Sequence, residues 1–323
     1  MAFLALIIDR YFSVSQVFTR YFSHPVVWQG WIIDVLETRL NSKNKSAVQR
    51  RLAGIKMLVI LIFATLFVSL LLLWLFSFLP FSWVFEALFA SILLAGTSLK
   101  KAVKSVAQAL KISLEAARKQ VSHIVGRDTK QLTKSEISRA AIESLAENSS
   151  DGVIAPLFWL ALFGLPGIAV YKAINTADSM VGHLNERYCD FGWASAKTDD
   201  LVNWIPARLT AIFYAIAAEF TLSSGGRKSW QSAKDDAPSH VSPNAGWPEA
   251  AMAGALGFAL GGPRNYGGKT LDLALMGNGR RELAGEDVFM AIKLYLAMLN
   301  IALLVSGFLA LFQVVLQINQ LPF

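Results

Sequence analysis

Residues 57–79 read MLVILIFATLFVSLLLLWLFSFL, an apolar run that no charge interrupts. At about 1.5 Å per helical residue, such a run crosses a bilayer core of roughly 30 Å, so the chain is expected to be an integral membrane protein. Pro80 marks a tight turn, and residues 83–99 form a second apolar run with Glu86 near its start and basic residues beyond its end. The two runs read as a transmembrane hairpin. Trp74, Phe81 and Trp83 fall at its outer corner, where interfacial aromatics are expected. Composition agrees, since 54% of the 323 residues are hydrophobic and 16% charged, against roughly 25% charged in ordinary soluble domains.

The flanks give an orientation. Lys43, Lys45, Arg50, Arg51 and Lys56 precede the hairpin; Lys100, Lys101, Lys104, Lys111, Arg118 and Lys119 follow it. By the positive-inside rule both ends face the cytoplasm. A third span is expected over 289–318, after Arg280 and Arg281, which places the uncharged tail QINQLPF outside. The start, MAFLALII, is too short for a span and lacks the basic region and cleavage site of a signal peptide. The net charge of +7 suits an anionic lipid surface or a phosphorylated substrate, and the single cysteine, Cys189, gives neither a disulfide nor a CxxC motif.

Between the spans the pattern changes. Residues 100–150 are polar and helical: Ser113 is expected to cap a helix over 114–125 with Gly126 at its C′ position, and Thr133-Lys134-Ser135-Glu136 forms a capping box. Segments 153–171 and 201–221 are apolar but carry Pro156, Pro166 and Pro206, as do broken membrane helices lining a cavity or helices buried in protein at membrane depth. Residues 250–260 are rich in small side chains and too short to span. The expected fold is therefore all-α and polytopic. It comprises an N-terminal amphipathic segment (1–56), the hairpin (57–99), a cytoplasmic helical insert (100–150), a core of broken helices and polar loops (151–288) and a C-terminal span (289–323).

Polar clusters beside apolar runs are candidate sites, because a charge at membrane depth is costly. In the first, which runs into ENSSDG, Glu143 and Glu147 share a helix face with Asn148 beside the latter, and Asp151 follows; clustered carboxylates can hold Mg²⁺, but the residues alone favour the plainer reading, a solvated helix face ending in an Asn/Gly stop. In the second, Lys172, Asn175, Thr176 and Ser179 project to one side of a helix with Asp178 adjacent, before Asn185, Glu186 and Arg187; this suits a phosphate or amide ligand, or a polar stripe joining two helices. In the third, Trp193 precedes Thr198, Asp199 and Asp200, one of which is expected to cap the following helix, so that two adjacent aspartates exceed that need. The fourth, residues 235–249, reads as a proline-rich loop carrying Asp235, Asp236, His240, Asn244, Trp247 and Glu249.

Other motifs fail. The segment GPRNYGGKT has Pro263 in the place of the first Walker glycine and no expected preceding strand, so it is not read as a P-loop; Gly277-Asn278-Gly279 does not continue as GxGxxG. The four histidines lack HExxH spacing, and the basic residues are not interleaved with aromatics, so zinc hydrolysis and nucleic-acid binding are not expected.

The strings ENSSDGVIAPLFW, YKAINTADSMVGHLNERYCDFGWASAKTDDLVNWIPARLTA, DAPSHVSPNAGWPEAAMAGALGFALGGPRNYGG and GNGRRELAGEDV resemble the CobD/CbiB family of cobalamin-biosynthesis membrane proteins over residues 118–293. His24-Pro25-Val26 with Gly30 is similar to the family's HPV segment, whereas its preceding Gly-Asp-Pro stretch is absent here. The resemblance implies ATP-dependent amide formation between adenosylcobyric acid and (R)-1-aminopropan-2-ol O-phosphate, with ATP and Mg²⁺ required. It implies a multi-pass protein of the inner membrane whose active site faces the cytoplasm, the corrinoid and the aminopropanol phosphate as ligands, and late-pathway cobalamin enzymes as candidate partners. On this basis Glu147, Asp151 and Asp178 are candidates to hold Mg·ATP, and Lys172, Arg187 and Arg208 to meet phosphates. Asp235, Asp236 and His240, with Asp199 and Asp200, are candidates for proton transfer near the amine. Trp193 or Trp247 would face the corrinoid, and Asn148, Asn175, Asn185, Asn244 and Glu249 would complete the binding groups. The fainter similarity to AmpE-type signalling proteins, through an APLFW-like string, implies no ligase residues, and a corrinoid-handling transporter or scaffold is a third reading.

Overall fold

The structure is a computed structural model that describes residues 1–12, 14–222, 225–266, 269–271 and 273–319. Gly267 and Gly268 of the rejected glycine-rich segment, and the end of the C-terminal tail, lie outside the described residues. The helices are α1 (Ala2–Phe12), α2 (Val14–Tyr21), α3 (Pro25–Leu40), α4 (Ala47–Ser77), α5 (Ser82–Ile92), α6 (Gly96–Ile112), α7 (Leu114–Val121), α8 (Lys134–Ser149), α9 (Ala155–Val181), α10 (Trp193–Thr221), α11 (Gly225–Asp236), α12 (Gly246–Leu256) and α13 (Gly285–Asn319). Five stretches among the described residues are long and apolar enough to cross a membrane: Ala47–Ser77, Ser82–Ile112, Lys134–Val181, Trp193–Thr221 and Gly285–Leu316. The protein is thus an all-α, multi-pass membrane protein.

The chain divides into two units, each built from separated segments: residues 1–95, 155–203 and 306–323 form one, and 96–154 with 204–305 the other. In the first unit, α4 packs on α3 and α9. Ile33, Met57, Leu61, Ala173, Ala177, Val181 and Phe191 form their buried seam. Gly54 permits this packing, because a Cβ there would overlap the Phe191 carbonyl oxygen. The outer side of α4 exposes Phe63, Phe67 and Trp74, the apolar surface that a lipid-facing helix presents. The hairpin turn contains Phe81 at φ 58°, and Phe81 and Trp83 are exposed, as interfacial aromatics should be.

Local signals set several helix ends. His24 caps α3, its Nδ1 accepting from Val26 N at 3.3 Å, with Pro25 at the first helical position. Ser113 accepts from Ala116 N at 3.0 Å, and Thr133 and Glu136 form the expected capping box. Four expectations need correction. α7 stops at Val121, ahead of Gly126, because turns rather than a helix occupy residues 122–124. Thr198, Asp199 and Asp200 lie inside α10, which begins at Trp193, so none of them caps it. The 235–249 segment is largely helical: α11 runs to Asp236, a 3-10 turn covers Ala237–Ser239 and α12 starts at Gly246. The hairpin's second limb ends at Ile92, and the chain restarts as α6.

The prolines act differently from one another. A single π turn at Ser150–Ile154 precedes α9. Within α9, Gly164 at φ 64°, ψ −153° breaks the helix just before Pro166, whereas Pro206 sits in α10 without a break. In the second unit α11 packs closely on α12, and α6, α7 and α8 form a second layer. Four short strands, β1 (Leu260–Gly261), β2 (Arg264–Tyr266), β3 (Lys269–Leu271) and β4 (Leu275–Met276), pair antiparallel as β1 with β4 and β2 with β3. Helical periodicity gave no sign of them. The GKT sequence leads into β3, where a P-loop would begin a helix.

Candidate functional site

In the first unit the end of α9 faces the start of α10. Asp199, nine-tenths buried, accepts from Asn203 Nδ2 at 2.9 Å and Asn175 Nδ2 at 3.3 Å. Lys172 Nζ donates to Asn175 Oδ1 at 3.1 Å, and the buried Tyr171 hydroxyl donates to Asn203 Oδ1 at 2.9 Å. Asp178 is near enough to Asp199 for their charges to interact. Here, then, one cation, two carboxylates and two amides share a site in which the donors are already oriented. Lys197 and Asp200 pair at 3.3 Å on the exposed side of α10. Asn203 and Tyr171 went unnoticed in the sequence; the signal for Asn203 was its place one helical turn after Asp199.

The α9–α10 connection is held by α3 and α4. Arg187 donates to Glu37 through Nε at 2.9 Å and Nη2 at 2.6 Å. Asn41 bonds both Glu37 Oε1 (2.8 Å) and Arg187 O (3.0 Å), and Arg50 reaches Asn41 and the carbonyls of Glu186 and Arg187. Arg51 pairs with Asp190 at 3.1 Å and lies over the Trp193 ring. Asn185 Oδ1 accepts from Tyr188 N at 3.0 Å, folding the loop on itself. The Arg187 hydrogen bonds hold the Glu37 carboxyl below its ordinary range, while Arg187 is held above its own. Burial pushes the His24 imidazole down and the charge of Lys172 adds to this, against a 2.9 Å contact with Ile92 O. His24 is therefore neutral near pH 7.

In the second unit, Arg208 lies over the rings of Trp204 (4.2 Å) and Trp247 (4.7 Å) and donates to Trp204 O at 2.7 Å and Asn244 Oδ1 at 3.4 Å. The planar guanidinium between two indoles is a cation–π arrangement that keeps its remaining N–H groups in a fixed plane. Nearby on the 240–249 segment, His240 Nδ1 lies 3.0 Å from Ser242 N and 3.1 Å from Ser242 O, and its Nε2 is 3.8 Å from Oε1 of the buried Glu249. Asp236 accepts from Gly277 N at 2.8 Å, tying α11 to the turn after β4, and Asp235 accepts from Gln231 one helical turn earlier. At the end of α8, Glu147 and Asn148 are exposed, Asn148 donating to Ser144 O at 2.9 Å, and Asp151 is half-buried in the π turn. Glu143 is committed elsewhere, to Arg127 at 3.1 Å and Gly261 N at 2.8 Å. Among the described residues, no group of three or more His, Cys, Asp or Glu is placed to hold a metal ion by itself.

A family model described as CobD/Cbib protein matches residues 2–295. The chain belongs to the CobD/CbiB family. It is 45% identical over 301 residues to "Cobalamin biosynthesis protein CobD" of Brucella suis biovar 1 (strain 1330), covering 90% of each chain. It is 46% identical over 271 residues to a protein of that name from Rhodobacter capsulatus, covering 82% of each. No solved structure matches it. CobD/CbiB membership places the chain in cobalamin biosynthesis.

Proposed function

We propose that this protein joins adenosylcobyric acid to (R)-1-aminopropan-2-ol O-phosphate, using ATP, to give adenosylcobinamide phosphate. The observation that carries the reading is the match of residues 2–295 to the CobD/CbiB family, together with the polar sites built into an otherwise apolar chain. A carboxylate is a poor electrophile, so ATP would phosphorylate the propionate carboxyl and release ADP; the neutral amine then attacks the acyl phosphate, expelling phosphate and losing one proton. Mg²⁺ bound to a nucleotide takes one or two carboxylates and keeps several waters, and neutralises phosphate charge. Asp178 and Asp199 suit that role, and Lys172 beside them would meet phosphate oxygens. Asp151 and Glu147 remain further carboxylate candidates.

His240 suits the proton transfer. When Nδ1–H donates to Ser242 O, the Nε2 lone pair can take the amine's proton, and Glu249 3.8 Å away stabilises the resulting imidazolium. Arg208 between its two tryptophans offers a charged edge and apolar faces to an amphipathic corrinoid. The reactants are cytosolic in character, so the polar clusters would face the cytoplasm, as the basic flanks suggest. The test is a single assay of detergent-purified protein with ATP, Mg²⁺, adenosylcobyric acid and aminopropanol phosphate. Product of the amide's mass, formed with stoichiometric ADP, is expected; absence of both sinks the reading.

A further inference from the structure

In the first unit, α4, α9 and the start of α10 enclose an open groove of about 470 Å³, walled by Ile62 and Leu66, by Trp159, Phe163 and Val170, and by Val202. The break in α9 shapes it. Pro166 and Gly167, just past Gly164, belong to its lining, and a Cβ on Gly167 would overlap the Trp159 carbonyl oxygen. The Trp159 and Phe163 rings stack with centroids 5.7 Å apart and planes 15° from parallel. The polar side-chain groups of the wall are already matched: Trp159 Nε1 donates to Val202 O at 3.1 Å, and the Tyr171 hydroxyl to Asn203 Oδ1 at 2.9 Å. The groove therefore presents hydrocarbon, and an apolar cavity of this kind does not hold water. A cavity of about 150 Å³ takes one six-carbon ring, so this groove has room for about 18 carbons, those of one long acyl chain.

A cation stands over the groove at the basic end of α4. At 3.6 residues per turn, Arg51, Ile55, Ile62 and Leu66 fall within about 60° of one another on the same face of that helix, and Ile55 is exposed between Arg51 and the groove. Arg51 lies over the Trp193 ring, 5.9 Å from its centroid, and is 54% exposed. Among the described residues its side chain hydrogen-bonds through Nε alone, to Asp190 at 3.1 Å, which leaves both terminal nitrogens as open donors. Asp190 does not neutralise the region. Segments 37–56 and 183–193 together carry seven Lys or Arg against three Asp or Glu, and Arg50 bonds an amide and two carbonyls but no carboxylate. Along α4, Ile62 is about 16 Å and Leu66 about 22 Å from Arg51. Half a bilayer core is about 15 Å, or roughly 20–22 Å with its headgroup layer, so a lipid whose phosphate meets Arg51 delivers the lower part of its chain to the groove.

We infer that the groove binds an acyl chain of an anionic glycerophospholipid whose phosphate is held by Arg51 beside Trp193. A guanidinium suits phosphate oxygens through its planar donor pair, an indole suits the headgroup level, and a basic helix end attracts anionic lipid. The site is independent of the proposed ligation, since binding requires neither ATP nor the corrinoid. It also adjoins the polar site: Tyr171 lines the groove and bonds Asn203, which donates to Asp199 at 2.9 Å. A seated chain would keep water from that side of Asp199.

The experiment is native mass spectrometry of delipidated, detergent-purified full-length protein with palmitoyl-oleoyl phosphatidylglycerol or the phosphatidylcholine of the same chains. One phosphatidylglycerol per chain is expected, bound about 2- to 5-fold more tightly than the zwitterionic lipid, the range of a half-exposed charged contact. Arg51→Gln should erase that preference while keeping the binding. Leu66→Trp fills the groove and should lose both lipids, with Val170→Phe as a second variant from the opposite wall and an unchanged lipid-free unfolding temperature as the control for each. Phe67→Ala, on the exposed far side of α4, should bind as the wild type does. No phospholipid on the wild type, equal affinity for the two lipids, an undiminished preference in Arg51→Gln, or binding unchanged in both groove-filling variants overturns the inference. An isoprenoid quinone from the source membrane held in the groove in place of phospholipid overturns it as well.

Discussion

Asp199 is the residue on which the first unit's polar site converges, held by two amide donors one helical turn and one helix away. Asp199→Asn keeps the shape and removes the charge, so the protein should still fold while the amide-forming rate drops about 10²-fold or more. A variant with undiminished kcat would move the chemistry elsewhere. Glu37 gives a second expectation. Its carboxyl is held below the ordinary value of 4.5 by Arg187. A depressed carboxyl contributes stability in full above its unfolded value, and that contribution is lost as pH falls through the lowered native one. Thermal unfolding from pH 7 down to pH 3 should therefore show an acid-side loss that Glu37→Gln lacks; identical profiles would contradict the linkage. The sequence made Arg187 stand out as a cation among polar neighbours, but Glu37 lies 150 positions earlier. Residue type was readable and the partner was not, because nothing in a sequence states which distant segments meet. Asn203 was readable in principle, by its i+4 spacing from Asp199.

Helix ends show where local chemistry decides and where packing does. The Thr133–Glu136 box and the Ser113 cap were legible because side chain and backbone donor lie within four residues of each other. The end of α7 was not, since Gly126 suits a C′ position but the chain turns away four residues sooner. α9 could be foreseen as broken from Pro166, yet the break itself is at Gly164, whose φ 64° and ψ −153° only glycine adopts readily. Gly164→Ala should accordingly cost about 1–3 kcal/mol and lower the unfolding temperature in detergent. An unchanged midpoint would mean that α9 can straighten. Pro206, by contrast, lies in an unbroken α10, so proline content alone overstated how many helices are interrupted. The short β1–β4 pairing stayed hidden because two- and three-residue strands leave no alternation to detect.

At the scale of the whole molecule, the apolar runs made the membrane reading secure: three spans were legible, and the two further stretches carry the prolines and polar clusters that obscured them. The single cysteine offers a direct test of orientation. Cys189 is exposed in the α9–α10 connection, so a membrane-impermeant maleimide should label it in inverted vesicles and leave it unlabelled in intact cells. The opposite pattern would place that connection, and the Lys172–Asp199 site beside it, away from cytosolic reactants. The interleaved division of the chain has a further consequence for biosynthesis. Unit boundaries fall at 95/96, 154/155, 203/204 and 305/306, the last two inside α10 and α13. A ribosome delivering this chain from its N-terminus therefore supplies the first unit in three instalments separated by the whole of the other. That unit can close only after residues 306 onward have emerged, so the early helices must wait in the membrane, held by their own hydrophobicity, while later translation completes their surroundings.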